Sequence, residues 1–333
     1  APYMTVHRAD LHAVLLRAIQ DSKSVLHLNR TLSQVQLDSQ GGLVVRDEQG
    51  HEAAPQALIG ADGLWSRVRQ QVWQDAAPTP TGHWAYRSLL PMSLLPKRWR
   101  EPQVRVWMAP GMHAVHYPVR RGEWLNVVLL IEGSDAMAQS GWDVNRAPEL
   151  IQADVQRALR GLCHDVHDVL RLVEQWRVWS LHARPVVRSA QDLVRGRVAL
   201  LGDAAHPMLP YLAQGAGMAL EDAQALALRL QERPQAQAWE AALHAYGERR
   251  WARSAQVQRA ALRNAHIFHA SGPLALARNT ALRPTGAEGS RYGLGLDFFL
   301  IFLDKSRGVM CIAFAKGFAF VSCDRFDLDA GQA

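Results

Sequence analysis

The residues best suited to chemistry lie between Gly196 and Asp222, GRVALLGDAAHPMLPYLAQGAGMALED. An apolar run, Val198–Leu201, delivers Asp203 at the end of a strand, where open α/β sheets bind ligands. Gly202 lets the chain pass close to a bound molecule. Pro207 and Pro210 stiffen the loop that follows. Gly215, Ala216 and Gly217 then open a helix whose unused amides and dipole favour a negative charge in front of them. A carboxylate at one end and an anion-accepting helix start at the other suit a polyhydroxyl chain carrying a ring that becomes anionic. An ordinary strand–loop–helix unit would show the same pattern.

Other segments offer smaller groups of candidates. Leu58–Arg69, LIGADGLWSRVR, runs from a short strand into an Asp62-Gly63 turn, with Ser66 placed to cap a helix. Thr5–Leu11, TVHRADL, sets Arg8 just ahead of another helix. His113, Val115 and Tyr117 alternate on one face of a strand. A histidine beside a phenol could accept its proton and enrich the ring before attack by an electrophile. A half-buried strand pair with satisfied side chains is the competing reading, and Tyr86 and Arg87 are secondary candidates. Cys163, His164, His167 and Asp168 share a helix face and offer metal ligands. No third, distant ligand accompanies them, and a solvated helix face is the simpler reading.

The elements that must position these residues can be read from periodicity. Leu11, Val14, Leu15, Ala18 and Ile19 form one apolar stripe of a helix over 9–20. Strands are expected at 25–28, 31–37 and 43–46, separated by Gly and Asp turns. From 79 to 184 the texture changes to strand-like runs at 103–108, 113–119, 124–131 and 177–183, with a helical stretch over 148–173. Helices are expected at about 217–230 and 236–268, the second carrying Arg249, Arg250, Arg253, Arg259 and Arg263 on its wetter faces. After Trp251 there is no tryptophan, and seven of the eight phenylalanines lie at or beyond Phe298. This tail is apolar but broken by Asp297, Asp304, Lys305 and Arg307, so it lacks the ~20 apolar residues of a membrane helix.

Composition narrows the class. With 333 residues, 48% hydrophobic and 20% charged, the chain is expected to be globular and cytoplasmic. Its three cysteines are too few for a disulfide framework. The formal charge is +6, almost all of it arginine. There is no tract of five like charges and no aromatic interleaving along the arginine helix, which argues against nucleic acid as partner. Scattered arginine suits small anions.

Taken together, three segments resemble the motifs of one family. GDAAHPMLPYLAQGA resembles the GD motif of the FAD-dependent aromatic hydroxylases, LIGADGLWSRVR is similar to their DG motif, and TVHRADL is similar to their HRADL segment. They occur in the family order, and the likeness covers about 5–280. It is closest to the salicylate hydroxylase and 3-hydroxybenzoate 6-hydroxylase branch. The resemblance implies an α/β (α+β) fold: a Rossmann-like FAD/NAD(P)-binding domain in part over 1–78, an inserted mixed β-sheet substrate domain over 79–184, a return to the FAD domain with C-terminal helices over 185–280, and a divergent tail over 281–333.

It also implies roles. Arg8 would touch FAD, and Gly202 and Asp203 would meet the ribityl hydroxyls. The amides of Gly215, Ala216 and Gly217 would face the flavin N1–C2=O edge. Asp62 and Gly63 would lie near the pyrophosphate and engage NAD(P)H, with Arg67 bracing their loop. His113 and Tyr117 match a histidine–tyrosine pair of the 3-hydroxybenzoate branch, whereas Pro210 stands where that branch has glutamine and matches the salicylate-like pattern. The implied activity is hydroxylation of a hydroxybenzoate-like aromatic through a flavin C(4a)-hydroperoxide, with O₂ and NAD(P)H as co-substrates and a homodimer as the assembly. Related branches act on hydroxynicotinate, kynurenine or ubiquinone precursors. The family's opening GxGxxG is matched neither by GAGMAL at 215–220 nor by GLGLDF at 293–298. Some 100 residues of the family therefore have no counterpart, and the chain alone is expected to bind FAD weakly or not at all, as a fragment without activity would.

Overall fold

The computed structural model describes residues 3–37, 42–133, 146–232, 239–281, 309–314 and 317–322. It opens with β1 (Tyr3–Val6) and α1 (Arg8–Gln20), then β2 (Leu32–Leu37), β3 (Leu43–Asp47), β4 (Glu52–Ala53), β5 (Leu58–Gly60) and α2 (Arg67–Trp73). The middle of the chain holds β6 (Thr79–Pro91), β7 (Arg105–Ala109), β8 (Met112–Val119), β9 (Trp124–Glu132), α3 (Pro148–Gly161), α4 (His167–Leu170) and β10 (Arg177–Ala183). The chain continues through β11 (Val194–Arg195), β12 (Val198–Leu200), α5 (Gly215–Gln231), α6 (Trp239–Phe268) and α7 (Gly272–Ala281), and then β13 (Val309–Phe314) and β14 (Gly317–Ser322). The α/β class expected from the sequence is what is found.

Five strands make the largest sheet, in the order β10-β6-β9-β8-β7. It was expected to be mixed, but every pairing in it is antiparallel. For β7–β8 and β8–β9 the reason is the length of the connections: tight turns at Pro110-Gly111 and Arg120–Gly122 allow only reversal, because a parallel return needs a crossover of a dozen residues or more. One face of this sheet buries Trp84, Tyr86, Leu129 and Ile131 against α3 and α4. The other face carries Ala85 and Leu130 and is covered by Leu209, Tyr211 and Phe268. A second core joins α2, α5 and α6 to a small sheet in which β12 lies between β11 and β5. β13 pairs parallel with β1 and antiparallel with β14, and the rest of the tail falls outside the described residues.

Three local expectations are corrected. Residues 25–28 form no strand: Val25 and Leu28 are largely exposed, and β2 takes the pairing with β3 instead. The helical stretch 148–173 breaks after Gly161, where the backbone turns extended at Leu162 and Cys163. Gly161 lies so close to the sheet that a Cβ there would stand 3.1 Å from Met112 Sδ, so the helix ends where it docks. Arg250 lies not on a wet face but inside, only 7% exposed. α1 forms as expected, yet it buries no residue, and Val14, Leu15 and Ile19 of its stripe face outward. No helix among the described residues is long and apolar enough to cross a membrane.

Candidate active site

β12 runs parallel to β5, with Leu200 opposite Gly60, so the Asp62-Gly63 and Gly202-Asp203 turns emerge side by side. Gly60 permits the approach, since a Cβ there would stand 2.8 Å from Leu200 Cδ2. Gly202 is required twice over: its φ is +56°, and a Cβ would meet that of Ala219 at 3.0 Å. This contact brings α5 against the strand end. Asp203 is exposed, and its Oδ1 lies 3.7 Å from the position a Cβ would take on Gly215. The carboxylate and the helix start therefore border one opening.

The first helical bond of this turn runs from Met218 N to Gln214 O at 2.9 Å, which leaves the amides of Gly215, Ala216 and Gly217 outside the helical ladder. Gln214 is 2% exposed and its Oε1 has no hydrogen-bond partner. Ala213 holds a left-handed φ of 57°, an uncommon conformation for a residue with a Cβ, and it fixes the angle at which the loop enters α5. A glycine gap beside a carboxylate, three uncommitted amides and an orphaned buried oxygen fit the ribityl and pyrimidine side of a flavin.

A buried ion cluster holds this unit together. Asp222 Oδ2 accepts from Gly202 N at 2.9 Å and pairs with His206 Nε2 at 2.6 Å. Its Oδ1 accepts from Arg250 Nε at 2.7 Å, and Arg250 also reaches Glu221 Oε2 at 2.7 Å. Burial alone would raise the Asp222 pKa, but His206, Arg250 and the Gly202 amide outweigh it, and the carboxyl is held below its ordinary value. This cluster is not legible in the sequence, because a buried arginine on a long polar helix reads like its exposed neighbours.

The second turn has a different internal logic. Asp62 Oδ2 caps α2, accepting from Arg67 N at 2.8 Å and Val68 N at 3.2 Å, while Ser66 Oγ accepts from Arg69 N at 2.9 Å as expected. Gly63, at φ +78°, faces open space. Arg67 does not brace its own loop with its side chain, which reaches Leu32 O at 2.9 Å at the start of β2 and Glu48 Oε1 at 2.6 Å just after β3. Arg69, which sequence reasoning missed, joins the two turns. It is 6% exposed, donates to Ala204 O at 3.1 Å and Ala205 O at 2.7 Å, and pairs with Asp75 at 2.6 Å.

The substrate sheet meets this unit through β8. Met112 and Ala114 face α3 and α4, and the alternate residues His113, Val115 and Tyr117 share the opposite face, as the two-residue period requires. Val115 and Tyr117 pack with Ala213, and the His113 ring lies 5.1 Å from those of Tyr211 and Phe268. The loop that carries Pro210 into α5 thus lies on the candidate face, with Pro210 half-buried between Leu209 and Tyr211. Burial pushes the Tyr117 phenol up to about 12, against the pull of Arg87 and Asn126, so it is a neutral hydrogen-bonding group. Arg87 Nε donates to Asn126 Oδ1 at 2.8 Å, and burial, Arg177 and Arg8 together lower its pKa against the phenol of Tyr117. Arg8 is exposed at the first position of α1, on the Arg87 side of the sheet.

His113 is 1% exposed, and burial, followed by His269 and His83, holds its pKa well below the ordinary histidine value. Its Nδ1 lies 2.8 Å from His269 Nε2, and His269 Nδ1 lies 2.9 Å from Glu132 Oε1. A carboxylate can only accept, so His269 donates from Nδ1 and accepts at Nε2. His113 must then carry its proton on Nδ1, which leaves Nε2 with a lone pair. Tyr86 belongs elsewhere: its hydroxyl donates to Asp154 of α3 on the far face. Cys163, His164, His167 and Asp168 do not converge either. Asp168 accepts from Arg98 and from Trp99 Nε1, and His167 is buried rather than solvated.

Known proteins resemble this chain in sequence and in fold. The family described as FAD binding domain matches residues 5–261. The 3-hydroxybenzoate 6-hydroxylase of Polaromonas naphthalenivorans is 35% identical over 280 residues, 84% of this chain and 66% of that protein. The 3-amino-4-hydroxybenzoate 2-monooxygenase of Streptomyces cremeus is 34% identical over 286 residues, 86% of this chain and 68% of that protein. The chain thus spans about two thirds of the length of these relatives. In fold it is similar to a salicylate hydroxylase substrate complex, with a TM-score of 0.68 at 24% identity over 88% of this chain and 74% of the other. It is similar also to Klebsiella pneumoniae HpxO complexed with FAD and uric acid, with a TM-score of 0.68 at 24% identity over 87% and 69% of the two chains. With a family match over most of its length and relatives above 30% identity, the chain belongs to the FAD-binding-domain family, among the FAD-dependent aromatic hydroxylases.

Proposed function

We propose that the whole protein hydroxylates a hydroxybenzoate-like ring between the β8 face and the start of α5, consuming NAD(P)H and O₂. FAD, when bound, supplies the activation of oxygen and its transfer. Asp203, backed by Gly202, would take the ribityl hydroxyls, and the amides of Gly215, Ala216 and Gly217 the pyrimidine edge, where they favour negative charge. Arg8 would reach the same group from α1, and the Asp62-Gly63 turn would border the pyrophosphate and receive NAD(P)H. His113 Nε2 would accept the phenolic proton of the substrate, which raises the electron density of the ring. Tyr117 would hydrogen-bond the ring substituents, and Pro210 would shape the wall facing them. Leu209–Ala213, which covers this face, would exclude water.

The observation that carries this reading is the continuity of one short loop. Leu209–Ala213 packs on the His113 and Tyr117 face and leads directly into the uncommitted amides of α5. The whole protein, supplied with excess FAD, should be assayed for NAD(P)H oxidation and for hydroxylated product across hydroxybenzoates, hydroxynicotinate and kynurenine. Hydroxylation of a hydroxybenzoate is expected, and His113→Gln should lower product by at least about tenfold while NAD(P)H oxidation continues, the range expected for loss of a proton acceptor. Product formation indifferent to His113→Gln, or stimulation by no compound of the panel, would refute the reading.

A further inference from the structure

Behind the candidate site, three residues far apart in sequence converge. His83 on β6 and Glu132 on β9 are direct cross-strand partners, and His269 follows the end of α6. One potential ligand atom of each of His83, Glu132 and His269 lies within 4.8 Å of those of the other two. His269 Nδ1 is 2.9 Å from the Glu132 oxygen, and His83 Nε2 is 3.8 Å from it, aimed at it but too far for a hydrogen bond.

We propose that His83, Glu132 and His269 form a binding site for a divalent ion of the zinc class, with two imidazole nitrogens and one carboxylate oxygen as ligands. Two nitrogens and an oxygen are the donor set that such ions select over calcium or magnesium. Each imidazole is steadied through its other nitrogen, as metal-ligating histidines are: His83 Nδ1 by the Tyr211 hydroxyl, and His269 Nε2 by His113 Nδ1. The backbone is fixed as well. Gly111 N donates to His269 O at 3.1 Å, and Glu132 N donates to Gly111 O at 2.9 Å. The Glu132 side chain is 49% exposed, which gives the ion a path in and water as its remaining ligand. Binding shifts protons without releasing any. His269 moves its proton to Nε2 and donates to His113 Nδ1, whose own proton moves to Nε2, so the ion-bound form is not the one in which His113 Nε2 accepts a phenolic proton.

The test uses the full 333-residue chain, stripped with a chelator, and needs no hydroxylase activity. Zn²⁺ alone is titrated in competition with a chromophoric chelator, and Co²⁺ alone is followed by its visible ligand-field spectrum. One ion per chain is expected, with binding weakened at least about tenfold in Glu132→Gln and in His83→Gln, and unchanged in a Cys163→Ser/His164→Gln control. Circular dichroism establishes that each variant is folded, and the Co²⁺ spectrum of the unaltered chain should show nitrogen and oxygen ligation without a thiolate charge-transfer band. Wild-type binding no tighter than that of Glu132→Gln, loss of binding in the control, or a thiolate band would overturn the proposal.

Discussion

At the scale of single residues, burial decides which groups titrate. His116 lies on the opposite face of β8 from His113, stacked on Trp107 at 6.2 Å, and neither ring nitrogen has a partner. Burial, followed by the charge of Arg105, pushes its pKa down to about 3. An unfolded chain would protonate the same ring near 6.5, so between those values the unfolded state binds the extra proton and stability falls as pH falls. Replacing His116 with Phe removes that proton uptake and keeps an aromatic ring in the stack. Urea unfolding should show the variant gaining about 2 kcal/mol relative to wild type between pH 7 and pH 5. Parallel pH profiles for the two proteins would show that His116 titrates normally in the fold. The alternation of β8 was legible because a two-residue period is local. The depressed pKa values were not, since they depend on which distant side chains cover each face.

At the scale of elements, the junction of β12, the turn after it, and α5 and α6 rests on one carboxylate. Asp222 is fully buried and serves His206, Gly202 and Arg250 at once. Removing one partner of such a cluster leaves charge without compensation, so Asp222→Ala should cost about 3–5 kcal/mol. The urea midpoint should fall with an unchanged slope, and a loss below about 1 kcal/mol would mean that the cluster is not what holds Gly202 in place. The strand, turn and helix of this unit were readable from Val198–Leu201, Gly202-Asp203 and the glycines at 215 and 217. The brace was not, because Arg69 and Arg250 differ from exposed arginines only through partners more than 25 residues away in sequence for Arg250, and in the other turn for Arg69. The break after Gly161 escaped notice for a similar reason: its cause is Met112, on another element.

For the whole molecule, the arrangement that matters is the seating of the antiparallel sheet on the end of the α5 unit. Tyr211, Ala213 and Phe268 make that seat, and through it the His113 and Tyr117 face meets the turn that carries Asp203. The metal-ligand triad lies beyond the same seat and ties β6 and β9 to the end of α6. If this geometry exists to hold a flavin, then flavin binding must depend on Asp203 in particular. FAD titrated into the full chain, read by its fluorescence, should bind weakly but saturably. Asp203→Ala should then weaken binding by about tenfold or more, the worth of a hydrogen bond to a charged group. Saturation that ignores Asp203→Ala would contradict the account.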